Sequence, residues 1–146
     1  MNTFSSENSV HIWFGLAGRV GIVTGGAQGI GEACSRRFAR EDAQLVNADI
    51  DDNRGAALAA ELSALYMHCN VGDKAQVDAL VAQTMAAYGR IDVLVNNAGI
   101  FRAADLLEVT EADFDAVLRI NLKGSFLVGQ AVAREMAKGA RAVSTS

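Results

Sequence analysis

Proline is absent from this 146-residue sequence, although an average usage of about 5% would give about seven prolines. Proline is typical of turns and loops, and a complete globular enzyme of any class rarely lacks it. We therefore expect that a loop-rich region of the complete protein lies outside these residues.

Cysteine is scarce, with only Cys34 and Cys69 in the chain. Neither belongs to a C-x-x-C pair or lies at metal-ligand spacing from a histidine, so we expect reduced, buried thiols and no metal site.

Basic residues form no block or stripe, and the formal net charge is −4. The chain therefore lacks the electrostatic signature of a nucleic-acid-binding protein.

Long apolar runs are also missing. The segment from Met1 to Glu7 has neither the basic start nor the apolar run of a signal peptide. The apolar stretch from Val10 to Leu16 is too short to span a bilayer. We expect a cytoplasmic protein without a membrane segment, in which residues 1–14 form a flexible extension and residues 15–146 form the folded domain.

Short apolar runs alternate with longer helical patterns along the rest of the chain, which predicts βαβ units and a parallel sheet. The predicted strands are residues 19–24, 44–49, 65–69, 91–95 and a fifth from 141 to 146. The predicted helices are residues 29–41, one capped by Asp51 or Asp52, one capped by Asp73, and a long one over 111–136 with Thr110 before it. The expected fold class is α/β, a Rossmann-like doubly wound parallel sheet of about five strands that lacks its C-terminal part.

A glycine-rich turn follows the first predicted strand and precedes the first helix, with glycines spaced G-x-x-x-G-x-G at Gly25, Gly29 and Gly31. Glycine lets a backbone turn tightly and approach a bulky anion. The start of a helix directs unpaired N–H groups and a positive dipole end at that anion. The segment therefore predicts a phosphate-binding turn, and a turn whose glycines serve only the chain reversal is the alternative.

Asp49 ends the second predicted strand, 18 residues after the last glycine of this turn. A carboxylate at such a position can accept hydrogen bonds from the adenosine ribose and repels a 2′-phosphate. Ile50 follows it, and Gln28 lies within the turn, where an NADP-binding protein would carry a basic residue. These features favour NAD over NADP, the alternative for Asp49 being a solvated carboxylate in a turn that holds two further aspartates.

Two further motifs lie downstream, Asn96-Asn97-Ala98-Gly99 after the fourth strand and Asn121-Leu122-Lys123-Gly124 in the long helix. Together with the glycine-rich turn, in this order and spacing, they resemble the short-chain dehydrogenase/reductase family. The resemblance runs from about residue 15 to residue 139 and corresponds to the N-terminal, cofactor-binding part of that family.

The resemblance implies four groups of residues that contact NAD. They are Gly25, Gln28, Gly29, Ile30 and Gly31 around the pyrophosphate, Asp49 and Ile50 at the adenosine ribose, Asn70 and Val71 at the adenine, and Asn97, Ala98 and Gly99 near the nicotinamide ribose. Many relatives carry Asp where this chain has Asn70. An amide oxygen can still accept a hydrogen bond from the adenine amino group.

The resemblance also implies a catalytic role for Asn121, as the helix asparagine that orders a water in a proton relay. The acid/base of the family is the tyrosine of a Tyr-x-x-x-Lys pair. Neither tyrosine of this sequence fits, because Tyr66 is followed four residues later by Asn70 and Tyr88 by Asp92. We interpret Tyr66 as a strand residue and Tyr88 as a helix-end residue.

Ser146 is a poor candidate for the catalytic serine of the family, because the tail falls short of the expected position. We therefore expect a chain truncated before its Tyr/Lys pair and inactive alone, from an NAD-dependent oxidoreductase that interconverts a small-molecule alcohol and a carbonyl. The alternative is a non-catalytic dinucleotide-binding or interaction module.

In the family the long helix forms a subunit interface, and its apolar residues on several faces predict a homo-oligomer through residues 111–136.

Overall fold

The computed structural model describes residues 15–144. Within them, four strands alternate with helices. In chain order the elements are β1 (Val20–Thr24), α1 (Gly29–Arg40), β2 (Gln44–Asp49), α2 (Asp52–Glu61), β3 (Leu65–His68), α3 (Lys74–Tyr88), β4 (Val93–Asn96), α4 (Glu111–Val117), a π-helical segment (Leu118–Gly124) and α5 (Ser125–Ser144). The predicted Rossmann-like α/β class is confirmed.

The sheet has the strand order β3-β2-β1-β4, and all of its pairings are parallel. From β1 the chain first builds outward through β2 and β3, and then crosses to the other side of β1 to add β4. At Thr24, the last residue of β1, the register pairs Ala48 on one side and Asn96 on the other. A crevice for a ligand is expected at this reversal, beyond the carboxyl ends of the strands.

Every residue of β1 is buried, as expected for a central strand covered on both faces. Ile22 points into a cluster with Leu80 of α3 and Val128 of α5. The next residue, Val23, packs on the opposite face against Phe38 of α1. Helices therefore cover both faces of the sheet.

Three predicted helix caps are confirmed. The Asp51 side chain accepts a hydrogen bond from Arg54 N, and Asp73 accepts from the N–H groups of Ala75 and Gln76. Thr110 accepts from Asp113 N at 3.1 Å. Because these contacts are local, they could be recognised from sequence spacing alone.

The predicted fifth strand is wrong for residues 141–144, which continue α5, while 145 and 146 lie outside the described residues. The physical reason is helix propagation, which adds one hydrogen bond per residue. The alanines of the segment 137–142 favour that extension. No strand beyond β4 occurs within residues 15–144.

The helix predicted as unbroken over 111–136 is also wrong in detail, because the π-helical segment 118–124 interrupts it and the helix continues to Ser144. Two contacts lie within this segment. The Asn121 side chain bonds to a neighbouring loop, and a Cβ at buried Gly124 would lie only 2.6 Å from Val71 Cγ2. Such single-turn π segments are frequent at functional sites.

The predicted extension over 1–14 and the candidate Ser146 lie outside the described residues. Within residues 15–144, no helix is both long enough and apolar enough to cross a bilayer. The same stretch brings together no group of three or more His, Cys, Asp or Glu residues suited to a metal ion. Cys34 and Cys69 are free thiols, Cys69 buried and Cys34 half-buried.

Candidate functional site

A cavity of about 560 Å³ opens at the carboxyl ends of the strands, where the sheet reverses direction. Ten of the twelve residues predicted to contact NAD line it. They are Gly25, Gln28, Ile30, Asp49, Ile50, Asn70, Val71, Asn97, Ala98 and Gly99. Residues from four separate stretches of sequence therefore meet at one crevice, as the strand order requires.

The other two predicted residues, Gly29 and Gly31, shape the turn without lining the cavity. A Cβ at Gly31 would lie 1.9 Å from the carbonyl oxygen of Gly25, and a Cβ at Gly25 would lie 2.9 Å from Ala98 Cα. Both separations are too short for any side chain. The turn is thus folded tightly onto the start of α1 and against the chain that follows β4.

Asn97 ties the glycine-rich turn to β4. Its side-chain nitrogen donates hydrogen bonds to the carbonyl oxygens of Thr24, at 3.1 Å, and Gly25, at 3.0 Å. In return, Thr24 Oγ1 accepts from the main-chain nitrogens of Asn97 and Ala98, both at 3.1 Å. The two sequence motifs are therefore parts of a single structural unit.

The carboxylate of Asp49 lies directly beside the glycine-rich turn. Its Oδ2 accepts a hydrogen bond from Ala27 N at 2.9 Å. Its Oδ1 accepts from Ile50 N at 2.8 Å and from Asp51 N at 3.0 Å. Because a carboxylate oxygen accepts about two hydrogen bonds, Oδ2 retains capacity for a ligand hydroxyl. Asp49 is therefore a fixed wall of the cavity, not a freely solvated loop carboxylate.

Arg54 is a charged neighbour of the site that the sequence analysis missed. It lies in the first turn of α2, in a groove next to the cavity, and its guanidinium donates a hydrogen bond to Gln28 Oε1. Its Nε lies 3.6 Å from Asp51 Oδ2. Sequence reasoning looked for a cation only at Gln28 and Ile50, whereas the fold brings one to Gln28 from α2.

At the other end of the cavity, Asn70 is held in a local turn. Its Oδ1 accepts from Gly72 N at 3.0 Å, and its main-chain nitrogen donates to Gln76 Oε1 at 2.8 Å. The amide oxygen thus has one partner and can accept a second hydrogen bond. Arg119, also missed from sequence, packs its stem against Gly72, where a Cβ would lie 3.2 Å from Arg119 Cγ.

Five other lining residues were not predicted. They are Cys69, Ile100, Arg102, Ala116 and Ile120. Cys69 and Ile100 adjoin predicted residues in sequence, so they could have been found by extending the motifs. Ala116 and Ile120 are four residues apart and share a helical face. This spacing is visible in the sequence, but it indicates a cavity wall only once the packing of the helix is known.

Asn121 does not line the cavity. Its Oδ1 accepts from Ile100 N at 2.8 Å, and its Nδ2 donates to Ile100 O at 2.9 Å. Its own carbonyl oxygen accepts a hydrogen bond from Ser125 Oγ at 2.8 Å. The side-chain amide therefore holds the loop after β4, and the predicted role of Asn121 in a proton relay stays a prediction.

Two ionisable groups near the cavity stay neutral at physiological pH. Burial raises the pKa of the Cys69 thiol to about 11. Burial and the adjacent Asp52 carboxylate raise the pKa of Tyr66. Tyr66 lies in β3 and Tyr88 ends α3, which agrees with their interpretation as structural residues. Neither Cys69 nor Tyr66 is therefore suited to serve as a nucleophile or a general base.

Comparison with known proteins gives consistent matches. The family model for the short chain dehydrogenases matches residues 19–146. The (2S)-[(R)-hydroxy(phenyl)methyl]succinyl-CoA dehydrogenase subunit BbsD of Thauera aromatica is 46% identical over 123 residues, which cover 81% of this chain and 50% of that protein. The D-threitol dehydrogenase of Mycolicibacterium smegmatis is 40% identical over 139 residues, covering 92% of this chain and 54% of that protein.

Among solved structures, a short-chain dehydrogenase/reductase of Brucella melitensis, a glucose/ribitol dehydrogenase, superposes with a TM-score of 0.81 at 30% identity. The match covers 84% of this chain and 54% of that one. The chain thus spans about half the length of the relatives it matches. The glycine-rich turn, the Asn97 bridge and these matches agree that the chain belongs to the short-chain dehydrogenase/reductase family, whose members are oxidoreductases of alcohol and carbonyl groups.

Proposed function

We propose that this chain is the NAD(H)-binding part of an oxidoreductase that interconverts a small-molecule alcohol and a carbonyl. The observation that carries the proposal is the position of the Asp49 carboxylate, 2.9 Å from the Ala27 N–H of the glycine-rich turn. A turn suited to phosphates and a carboxylate suited to the neighbouring sugar are thereby adjacent, which is the arrangement that binds a dinucleotide.

The residues present fit a dinucleotide. Gly25 lines the cavity and carries no side chain, so the backbone there can approach a diphosphate closely. The N-terminus of α1 favours negative charge at the same place. When bound, the nicotinamide ring supplies the hydride chemistry. The chain contributes Asp49 and Ile50 at the adenosine ribose, Asn70 and Val71 at the adenine, and Ala98 and Gly99 at the nicotinamide ribose.

NAD is the proposed coenzyme, in preference to NADP. A 2′-phosphate on the ribose would bring negative charge against the Asp49 carboxylate, which costs binding energy. Arg54 lies near enough to compensate in part, but it is already engaged with Gln28 and with Asp51. The proposed preference for NAD therefore rests on the Asp49 carboxylate. Arg54 makes that preference smaller than the carboxylate alone would give.

The decisive experiment is a fluorescence titration of the chain with NADH and with NADPH at one ionic strength. We expect saturable binding of NADH and at least tenfold weaker binding of NADPH. Absence of NADH binding at millimolar concentration would overturn the proposal. Equal affinities would overturn only the choice of coenzyme.

We propose that the chain binds coenzyme without turnover, because no Tyr-x-x-x-Lys pair occurs among its 146 residues. A panel of alcohols with NAD and of ketones with NADH tests this, and measurable turnover would contradict it. The second candidate is a non-catalytic dinucleotide-binding module. Sequencing the gene beyond residue 146 separates the two, since a following Tyr-x-x-x-Lys segment in any reading frame favours the enzyme.

The proposal includes self-association and a cytoplasmic location. Phe114, Leu118, Leu122 and Phe126 are between 41% and 68% exposed, and the last three line a shallow groove along the π-helical segment and α5. A second copy is the proposed partner, through the helical stretch 111–136, as the family resemblance implies.

The free thiols of Cys34 and Cys69 are compatible with a reducing compartment.

A further inference from the structure

The tip of β2 is braced by a side chain from the neighbouring strand. Tyr66 of β3 places its hydroxyl 3.0 Å from the carbonyl oxygen of Asp49 and 2.7 Å from Asp52 Oδ1. Asp49 is the last residue of β2, and Asp52 is the first residue of α2. One hydroxyl therefore spans both ends of the short β2–α2 connection, and its single proton is shared between a carbonyl and a carboxylate.

The ring of Tyr66 is fixed as firmly as its hydroxyl. It packs against α2 at Gly55, where a Cβ would come within 2.2 Å of Tyr66 Cε2. His68, two residues further along the same face of β3, places Nδ1 2.8 Å from the same oxygen of Asp52. The first turn of α2 is thus held to β3 by two side chains and one close backbone approach.

This bracing acts on the carboxylate that faces the cavity. The β2–β3 register ends at the pair Asp49 and His68, and Asp49 O accepts one further bond from Cys69 N, the residue after β3, at 2.9 Å. The Asp49 side chain depends on the same connection, because Oδ1 accepts from the nitrogens of Ile50 and Asp51. Any rotation of the connection would therefore move the carboxylate relative to the glycine-rich turn.

We propose that Tyr66 is a positioning residue for Asp49, and that through Asp49 it sets the discrimination between NAD and NADP. This inference rests on the proposed function. A well-placed carboxylate attracts the ribose 2′-hydroxyl and repels a 2′-phosphate, so loosening it weakens NADH binding and relieves the penalty on NADPH. A residue that served only global stability would change both affinities in the same proportion.

The test compares Tyr66→Phe with Tyr88→Phe in the chain as it exists, by titration with NADH and NADPH. Tyr88 packs against the core from the end of α3, and its hydroxyl has no hydrogen-bond partner among the side chains described, those of residues 15–139, so it is a matched control. Loss of one hydrogen bond predicts about three- to tenfold weaker NADH binding. NADPH binding is expected to stay constant or improve, and Tyr88→Phe is expected to change neither.

Asp52→Asn is the second variant, because its amide oxygen can still accept from the Tyr66 hydroxyl. We expect a smaller loss than in Tyr66→Phe, and no further loss when the two changes are combined. An unchanged NADH/NADPH ratio in Tyr66→Phe overturns the inference while leaving the proposed function intact. Failure of the unmodified chain to bind NADH overturns both.

Discussion

Asn121 and Ile100 are joined by two hydrogen bonds, in which the asparagine side chain occupies both main-chain polar groups of the isoleucine. The distances are 2.8 Å from Ile100 N to Asn121 Oδ1 and 2.9 Å from Asn121 Nδ2 to Ile100 O. An asparagine in a helix thereby acts like a strand partner for the loop after β4. The helix widens into its π-helical segment at this position, and the loop that borders the cavity is held in place.

The first prediction follows from this pair. Asn121→Ala removes both bonds and is expected to lower the free energy of unfolding by about 1–2 kcal/mol, measured by urea denaturation. It is also expected to weaken NADH binding, because Gly99 and Ile100 line the cavity. Asn53→Ala is the control, since Asn53 is exposed and its side chain has no hydrogen-bond partner in the stretch 15–139, where side chains are described. Equal stability of the two variants would show that the pair contributes nothing.

A second prediction concerns Asp49 and Arg54. Asp49→Ser is expected to weaken NADH binding and to improve NADPH binding on the order of tenfold, because a like charge is removed from the 2′-position. Adding Arg54→Ala to this variant is expected to reverse the gain for NADPH. Asp78→Ser, an exposed change on α3 that breaks only an ion pair with Lys74, is the control. If Asp49→Ser leaves the NADH/NADPH ratio unchanged, the assignment of Asp49 to the ribose is wrong.

The third prediction tests how closely Gly31 packs against Gly25 in the glycine-rich turn. Gly31→Ala places a Cβ 1.9 Å from Gly25 O, so the turn must open, and both NADH binding and thermal stability are expected to fall. Gly139→Ala, in α5, meets nothing within 4 Å and is expected to stabilise by about 0.5–1 kcal/mol, as glycine is a poor helix former. Differential scanning calorimetry distinguishes the two. A stable, nucleotide-binding Gly31→Ala variant would contradict the geometry of this turn.

Self-association supplies the fourth prediction. Leu122→Glu puts a charge in the middle of the apolar groove formed with Leu118 and Phe126, and it is expected to shift the chain from a dimer or larger species to a monomer. Light scattering after gel filtration measures the mass. Leu106→Glu, at a leucine 89% exposed in the loop before α4, is expected to leave the mass unchanged. A monomeric unmodified chain would contradict the proposed self-association.

Local features of the fold were predictable from sequence because their signals are short in range. The caps at Asp51, Asp73 and Thr110 depend on donors within three residues, and β2 was predicted with the bounds that it has. The neighbourhood of Asp49 and the glycine-rich turn was also anticipated. This prediction required the order of the strands in the sheet. The alternation of strands and helices, together with the family resemblance, was enough to predict that order.

Long-range side-chain contacts were not predictable. Arg54 reaches Gln28 across 26 residues, and Asn121 reaches Ile100 across 21. No periodicity encodes either contact, so neither the position of Arg54 beside Gln28 nor the π-helical segment had a sequence signal. The fifth strand failed for a related reason. A strand is stabilised by a neighbouring strand, whereas residues 141–144 could extend a helix through bonds to their own segment.

The bridge from Asn97 to Thr24 also bears on how the protein is made. The two residues are 73 positions apart. Strand β4 must dock beside β1 before the Asn97 side chain can donate its hydrogen bonds to the loop ahead of α1. Such distant pairings form late, since a long closure must be completed before they stabilise anything. During synthesis, the proposed coenzyme site therefore cannot be completed until Asn97 has left the ribosome, so nucleotide binding would report that β4 has docked beside β1.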